Sequence, residues 1–260
     1  MRTLHLKALI TGGTSGIGRS FAYKLAEKGY DLILTGRRKK ELDEVAENIS
    51  ETYQIKVDTI IGDLSNAQCR SVICERIKTD GNIDILVNNA GFGIDHAFHR
   101  IALEDVHSMI MTHDLAAIDF IHAALPGMMS RGNGVIINVS SFGLFFPGFT
   151  RSLYLATKSF IHYFTKALSM EVYPYGIRLQ SLCPGMTYTD FHNRLSKVDF
   201  KKNRSLLQFM SPDQVVNISL KALESGKVVC IPGVLNKLML IVVKLLPGKM
   251  LRWLSRSRIE

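Results

Sequence analysis

Tyr154 and Lys158 stand four residues apart in a segment, Ser152 to Tyr173, whose apolar residues recur at helical spacing. On a helix both project from one face, which brings an ammonium close to a phenol. A phenol titrates ordinarily near pH ~10 and is a poor acid–base group at neutrality, but a neighbouring cation stabilises the phenolate and brings it toward the working range. Lys158 is the expected cation. The same pair arises by chance on many helices, so its meaning depends on what surrounds it. Thirteen residues before Tyr154, an apolar run from Gly134 to Val139 ends in Ser140-Ser141. That places the Ser141 hydroxyl at the carboxyl edge of a sheet, where open α/β folds bind ligands.

A second constellation lies near the N-terminus. The run Thr11-Gly12-Gly13-Thr14-Ser15-Gly16-Ile17-Gly18 joins a strand pattern directly to a helical face begun by Phe21, Ala22 and Leu25. Glycines let the backbone approach a pyrophosphate, and the N–H groups and dipole at a helix start favour its negative charge. A tight turn without a ligand is the plainer reading of such a loop, but its place after the first strand favours a dinucleotide. About 20 residues beyond the loop an NAD-type site usually carries a carboxylate for the ribose hydroxyl. Here the chain reads Gly36-Arg37-Arg38. Guanidinium pairs well with phosphate, so Arg37 with Arg38 is expected to select NADP(H). The other reading, a solvated helix start, is less comfortable because arginine there opposes the helix dipole.

The elements that must position these groups follow an alternating pattern. Strand candidates are Leu6 to Thr11, Asp31 to Thr35, Lys56 to Ile61, Ile85 to Asn88, Gly134 to Val139, Arg178 to Cys183 and Lys227 to Ile231. Helical periodicity marks Gly16 to Lys28, Lys39 to Tyr53, Asn66 to Thr79, Leu103 to Ser130, Ser152 to Tyr173 and Asp213 to Glu224. Crossovers of that length keep neighbouring strands parallel. The expected fold class is α/β, one doubly wound domain with a seven-stranded parallel sheet. Nothing marks a second domain; the irregular stretch is Met186 to Met210.

Taken in order, Thr11 to Gly18, Asp63-Leu64, Asn88-Asn89-Ala90-Gly91, Ser141, Tyr154-x-x-x-Lys158 and Pro184-Gly185 resemble the short-chain dehydrogenase/reductase family over roughly residues 5 to 235. Six ordered motifs are far more specific than any one of them. The resemblance implies a Rossmann-type fold, a homodimer or homotetramer, and reduction of a carbonyl by NADPH or the reverse. It implies that Gly12, Thr14, Ser15, Gly16, Ile17 and Gly18 hold the pyrophosphate, that Asp63 and Leu64 border the adenine, and that Asn89, Ala90 and Gly91 pass beneath its ribose. Pro184, Gly185, Thr187 and Thr189 would hold the nicotinamide, and Lys158 its ribose. In the implied reaction Tyr154 protonates the developing alkoxide while Ser141 hydrogen-bonds to the same oxygen. One departure stands out. Aligned through Leu125-Pro126, the family's helical asparagine falls on His113. In the family that residue's backbone carbonyl positions a water linking the lysine to solvent, which the resemblance implies a histidine backbone can also do, and the ring itself can relay protons; the alternatives are that it only packs, or that activity is weak or lost and the chain serves as a nucleotide-binding scaffold.

Phe142, Leu144, Phe145, Phe146, Tyr188, Phe191, Leu206, Leu207, Phe209 and Met210 suit the walls of a lipophilic ketone, 3-oxoacyl- or steroid-like, better than a sugar; ordinary core packing explains them nearly as well. Residues 1–235 are therefore read as the catalytic domain with a lid at about 186–210, and residues 236–260 as a basic extension. That extension holds six basic residues against Glu260, so it contributes +5 of the formal charge of +9. The mildly basic remainder argues against a nucleic-acid face. An amphipathic basic helix in the extension suits an anionic membrane surface, the sheet edge or a partner subunit. Cys69, Cys74, Cys183 and Cys230 lack paired metal spacing, which favours reduced thiols, no metal and a cytoplasmic setting. No secretory signal pattern is visible, and Leu238 to Leu246 is too short to span a membrane.

Overall fold

A computed structural model describes residues 6–94, 96–146, 151–189 and 209–245. Seven strands, β1 (Lys7–Thr11), β2 (Asp31–Gly36), β3 (Val57–Ile61), β4 (Ile85–Asn88), β5 (Gly134–Val139), β6 (Ile177–Leu182) and β7 (Val229–Cys230), form one parallel sheet in the order β3-β2-β1-β4-β5-β6-β7. The order reverses between β1 and β4, which opens a crevice at their carboxyl ends. The glycine loop leaves β1 and Asn89 leaves β4 at that point.

Continuous apolar strands need cover on both faces. Ala8 and Ile10 of β1 and Leu32 and Leu34 of β2 face one core layer, with Phe21 and Leu25 of α1 (Gly16–Glu27), Leu42 of α2 (Lys39–Tyr53) and Val215 of α7 (Pro212–Glu224). The alternate residues Leu9 and Ile33 face the other layer, with Ile73 of α3 (Ala67–Asp80), Phe120 of α5 (Ala116–Arg131) and Leu168 of α6 (Ser152–Val172).

Two expected elements differ. The strand at Lys227 to Ile231 shrinks to two residues because it is an edge, paired only through Ser181↔Val229 and Leu182↔Cys230. The long helix expected from Leu103 to Ser130 is interrupted: α4 (Leu103–Ile110) runs into a π-helical turn (Met111–Leu115), where the Ala116 N–H bonds the Met111 carbonyl, before α5 begins. Apolar period alone does not register one extra residue in a turn.

The lid expected at 186–210 is described at its two ends. They are tied by a bridge between Thr187 and Met210, with Tyr188 N–H to the Met210 carbonyl at 3.0 Å and Met210 N–H to the Met186 carbonyl at 3.0 Å. Phe191, Leu206 and Leu207 lie outside the described residues. In the extension, α8 covers Val234–Leu245, and the rest of the basic tail lies outside the described residues. Among the described residues no helix is long and apolar enough to cross a membrane. All four cysteines are free.

Candidate active site

The loop after β1 is built for close approach. Gly12 has φ +70°, and a Cβ there would lie 2.9 Å from Asn89 Nδ2. At Gly18 a Cβ would overlap the Gly12 carbonyl oxygen. Asn89 props this loop from β4: its Nδ2 donates to the Thr11 carbonyl at 2.9 Å and the Gly12 carbonyl at 3.2 Å. Thr11 Oγ1 in turn accepts the Asn89 and Ala90 N–H groups at 2.9 and 3.0 Å. Ser15, at the cap of α1, makes no side-chain cap hydrogen bond, and no acidic residue sits in the first turn. A helix start lined by glycine and left to receive an anion fits a pyrophosphate.

Arg38 lies against this loop, with Nη2 donating to Thr14 Oγ1 at 2.8 Å and Ser15 Oγ at 3.2 Å. Arg37 points elsewhere, toward Asp63 at 3.1 Å, with its guanidinium 6.0 Å from the Phe92 ring. Burial pushes the Asp63 carboxyl up, but hydrogen bonds from Ser65 and Arg37 outweigh it and leave it below its ordinary value. Leu64, expected beside adenine, is buried in the core layer with Leu9 and Ile73. Its carbonyl and that of Ser65 are held by Arg70, itself paired with Asp119 at 2.8 Å. On the far side of the crevice, Thr187 Oγ1 donates to the Gly185 carbonyl at 3.1 Å, and Thr189 approaches Gly16 so closely that a Cβ there would meet its methyl at 2.8 Å.

Ser141, Tyr154 and Lys158 converge as expected. The hydroxyls of Ser141 and Tyr154 are hydrogen-bonded, and Ser141 Oγ also accepts the Gly143 N–H at 3.1 Å. Lys158 is anchored at both ends: Ser140 Oγ donates to its carbonyl at 2.7 Å, and its Nζ donates to the Val139 carbonyl at 2.9 Å, 5.9 Å from the Tyr154 ring centroid. Burial lowers Lys158 to about 8, against Asp114 and Cys183, which raise it.

The expectation that Lys158 lowers the Tyr154 pKa is corrected by the structure. Burial raises Tyr154 above its ordinary value and outweighs the opposing pull of Ser141 and Arg151. With Lys158 Nζ turned to the Val139 carbonyl, removal of the phenol from water decides the sign. Tyr154 is therefore a neutral phenol at physiological pH.

His113 is buried in the π-turn, 3% exposed. Its Nε2 accepts the Phe92 N–H at 3.0 Å, so the proton resides on Nδ1 and is donated to Thr157 Oγ1 at 2.9 Å; Thr157 passes its own hydrogen to the Tyr154 carbonyl at 2.9 Å. Burial first, and the charge of Lys158 second, hold the ring well below its ordinary pKa. The ring is neutral, with both nitrogens occupied, and leaves no site on itself for a proton relay. Beside it a cavity of about 10 Å³ is lined by Asn88, Thr112, His113 and Lys158; Asn88 Oδ1 and Thr112 Oγ1 are buried without a partner. That is about the least space that holds one water.

Of the apolar residues assigned to the substrate side, Phe142 is buried, in edge contact with Phe146 at 4.9 Å, and Met210 belongs to the core. Leu144, Phe145 and Phe146 are half-buried, and Tyr188 stacks on Phe209 at 4.9 Å. Asp114, Thr157, Arg70 and Thr11 carry structural or electrostatic weight here that the sequence reading did not assign. A polar pair inside a helical period, His113-Asp114, was the available signal for the first.

Residues 6–199 match the short chain dehydrogenase family. The chain is 34% identical over 202 residues to a very-long-chain 3-oxoacyl-CoA reductase of Anas platyrhynchos, covering 75% of this chain and 64% of that protein. It is 32% identical over 179 residues to the inactive hydroxysteroid dehydrogenase-like protein 1 of Homo sapiens, covering 68% and 54%. This chain thus spans between half and two thirds of the length of these curated relatives. A short-chain dehydrogenase from Sphingobium yanoikuyae, solved in complex with NADPH, superposes with a TM-score of 0.84 at 29% identity, covering 98% of this chain and 96% of that one. The motif order, the parallel sheet with its crevice and these matches agree, and the chain belongs to the short chain dehydrogenase family.

Proposed function

We propose that this protein is an NADPH-dependent carbonyl reductase. The observation that carries the reading is the convergence of Tyr154, hydrogen-bonded to Ser141, and Lys158 Nζ, 5.9 Å from its ring centroid, at the carboxyl edge of the sheet. Gly12, Thr14, Ser15, Gly16, Ile17 and Gly18 would hold the pyrophosphate, Arg38 with Arg37 a 2′-phosphate, and Asp63 to Leu64 and Asn89 to Gly91 the adenosine end. Pro184, Gly185, Thr187 and Thr189 would hold the nicotinamide, with Lys158 on its ribose. When bound, the cofactor supplies two electrons and a hydrogen to the carbonyl carbon. Tyr154 donates its phenolic proton to the carbonyl oxygen, and Ser141 steadies the charge that develops there. A phenol kept protonated by burial favours this reductive direction.

The substrate is read as hydrophobic, 3-oxoacyl- or steroid-like, because the half-buried Phe145 and Phe146 and the Tyr188–Phe209 stack offer ring faces. Exposed Phe160, Tyr163 and Met170 on α6 support a homodimer or homotetramer. Val234, Leu235, Leu238, Ile241 and Val242 on α8, all at least 50% exposed, together with the basic tail support peripheral contact with a membrane from the cytoplasm. Residues 1–235 would be the catalytic domain and 236–260 the membrane-facing extension.

The test follows NADPH consumption with a panel of hydrophobic ketones. Tyr154→Phe is expected to lower kcat/KM by roughly a hundred- to ten-thousand-fold while leaving NADPH affinity, read by fluorescence, unchanged. Turnover that ignores this change overturns the reading. The fixed, neutral His113 favours a second reading, a nucleotide-binding member without turnover, which predicts NADPH affinity and no consumption with any ketone.

A further inference from the structure

Asp114 is a titratable side chain beside the candidate site to which that chemistry assigns no role. It follows His113 in the π-turn, which packs on α6, and it is 8% exposed. Its Oδ1 is buried without a hydrogen-bond partner. A carboxyl in that position costs stability unless something opposite repays it. The opposite charge is Lys158: each is felt by the other, the cation favouring the carboxylate and the carboxylate favouring the ammonium. The other titratable groups around Lys158 are Tyr154 on its own helix, His113 from the π-turn and Cys183 beyond β6. His113 is neutral, and burial pushes the Cys183 thiol up to about 11, so neither carries charge near neutrality.

We propose that Asp114 is the counter-charge that keeps Lys158 an ammonium, and so acts as a positioning residue for the hold of Lys158 on the nicotinamide ribose. This rests on the reductase reading of Tyr154 and Lys158. The role differs from that of His113: the histidine fixes backbone through Phe92 and Thr157, whereas Asp114 makes no such tie and acts through charge. Burial raises the carboxyl to about 7, against the pull of Lys158, so Asp114 is ionised over the range in which Lys158, at about 8, begins to lose its proton.

The sign of the stability effect is opposite to that of a structural residue. A carboxyl whose folded pKa rises from 3.8 to about 7 binds its proton more tightly when folded, so it costs increasing stability as pH rises through that interval and a constant amount above it. Asp114→Asn should therefore melt higher than wild type at pH ~8, with the gain shrinking as pH falls toward ~5. In the same variant the alkaline limb of kcat/KM for reduction of benzylacetone should move acidward by about one pH unit, because Lys158 loses its counter-charge. Asp114→Glu should restore most of the shift. A variant that melts lower at every pH shows a merely structural role and overturns the proposal. So does a higher melting point with an unmoved pH profile. If wild type consumes no NADPH, the reductase reading fails first, and a melting gain without pH dependence then overturns the ionisation of buried Asp114 on which the counter-charge depends.

Discussion

The balance between burial and charge around single side chains decides what this site can do. Tyr154 and Lys158 are both taken out of water, and their pKa values move apart from their ordinary ones in directions that make one a neutral donor and the other a readily lost cation. The two arginines divide in the same way. Arg37 is exposed and turned to Asp63, whereas Arg38, paired with Glu41 at 3.5 Å, is also bonded to the hydroxyls of the phosphate loop. We therefore expect Arg38→Ala to weaken NADPH by roughly ten- to a hundred-fold, the worth of a charge-assisted hydrogen bond, and NADH by much less. Titration of both cofactors by fluorescence checks this, and equal losses would remove Arg38 from the phosphate site.

At the level of elements, the crevice depends on how closely β1, α1 and the end of β4 approach. Asn89 reaches from β4 to two carbonyls of the glycine loop, and Gly18 leaves no room for a side chain against Gly12. Gly18→Ala should force the loop apart, costing about 1–3 kcal/mol, which for a chain of this size lowers the melting temperature by about 3 °C per kcal/mol. NADPH affinity should fall with it; a variant that melts lower but binds normally would separate the loop's packing from its ligand role. The π-turn between α4 and α5 is the other element that shapes the site. It carries His113 and Asp114 inward together, one to brace backbone and one to present charge.

For the whole molecule, the uneven placing of apolar and basic residues points outward rather than into the core. The exposed residues of α8 recur at 234, 235, 238, 241 and 242, one face of a helix, and Lys237 is exposed among them. Under the proposed membrane contact such a face would rest on a bilayer, with anionic headgroups adding attraction that salt screens. Co-sedimentation should find the protein on phosphatidylglycerol vesicles, less so at high salt and less on phosphatidylcholine. Leu238→Glu combined with Ile241→Glu should release it without changing NADPH affinity. Unaltered sedimentation would leave that face without a lipid role.

Sequence alone determined the elements and their chemistry. Buried parallel strands must be continuously apolar and covering helices must show a period near 3.6, so β1, β4, β5 and the helices α1, α2, α3, α6 and α7 were readable within a residue or two. The glycine loop, Ser141, Tyr154 and Lys158 were readable because loop geometry and helical spacing are local properties. Tertiary structure decided everything that depends on who faces whom. Only packing sets the burial that raises Tyr154 rather than lowering it, turns Arg37 to Asp63, draws Phe142 and Met210 into the core and leaves Asp114 Oδ1 buried without a partner. Desolvation and charge act through space, between residues far apart in the chain, and no local pattern records them.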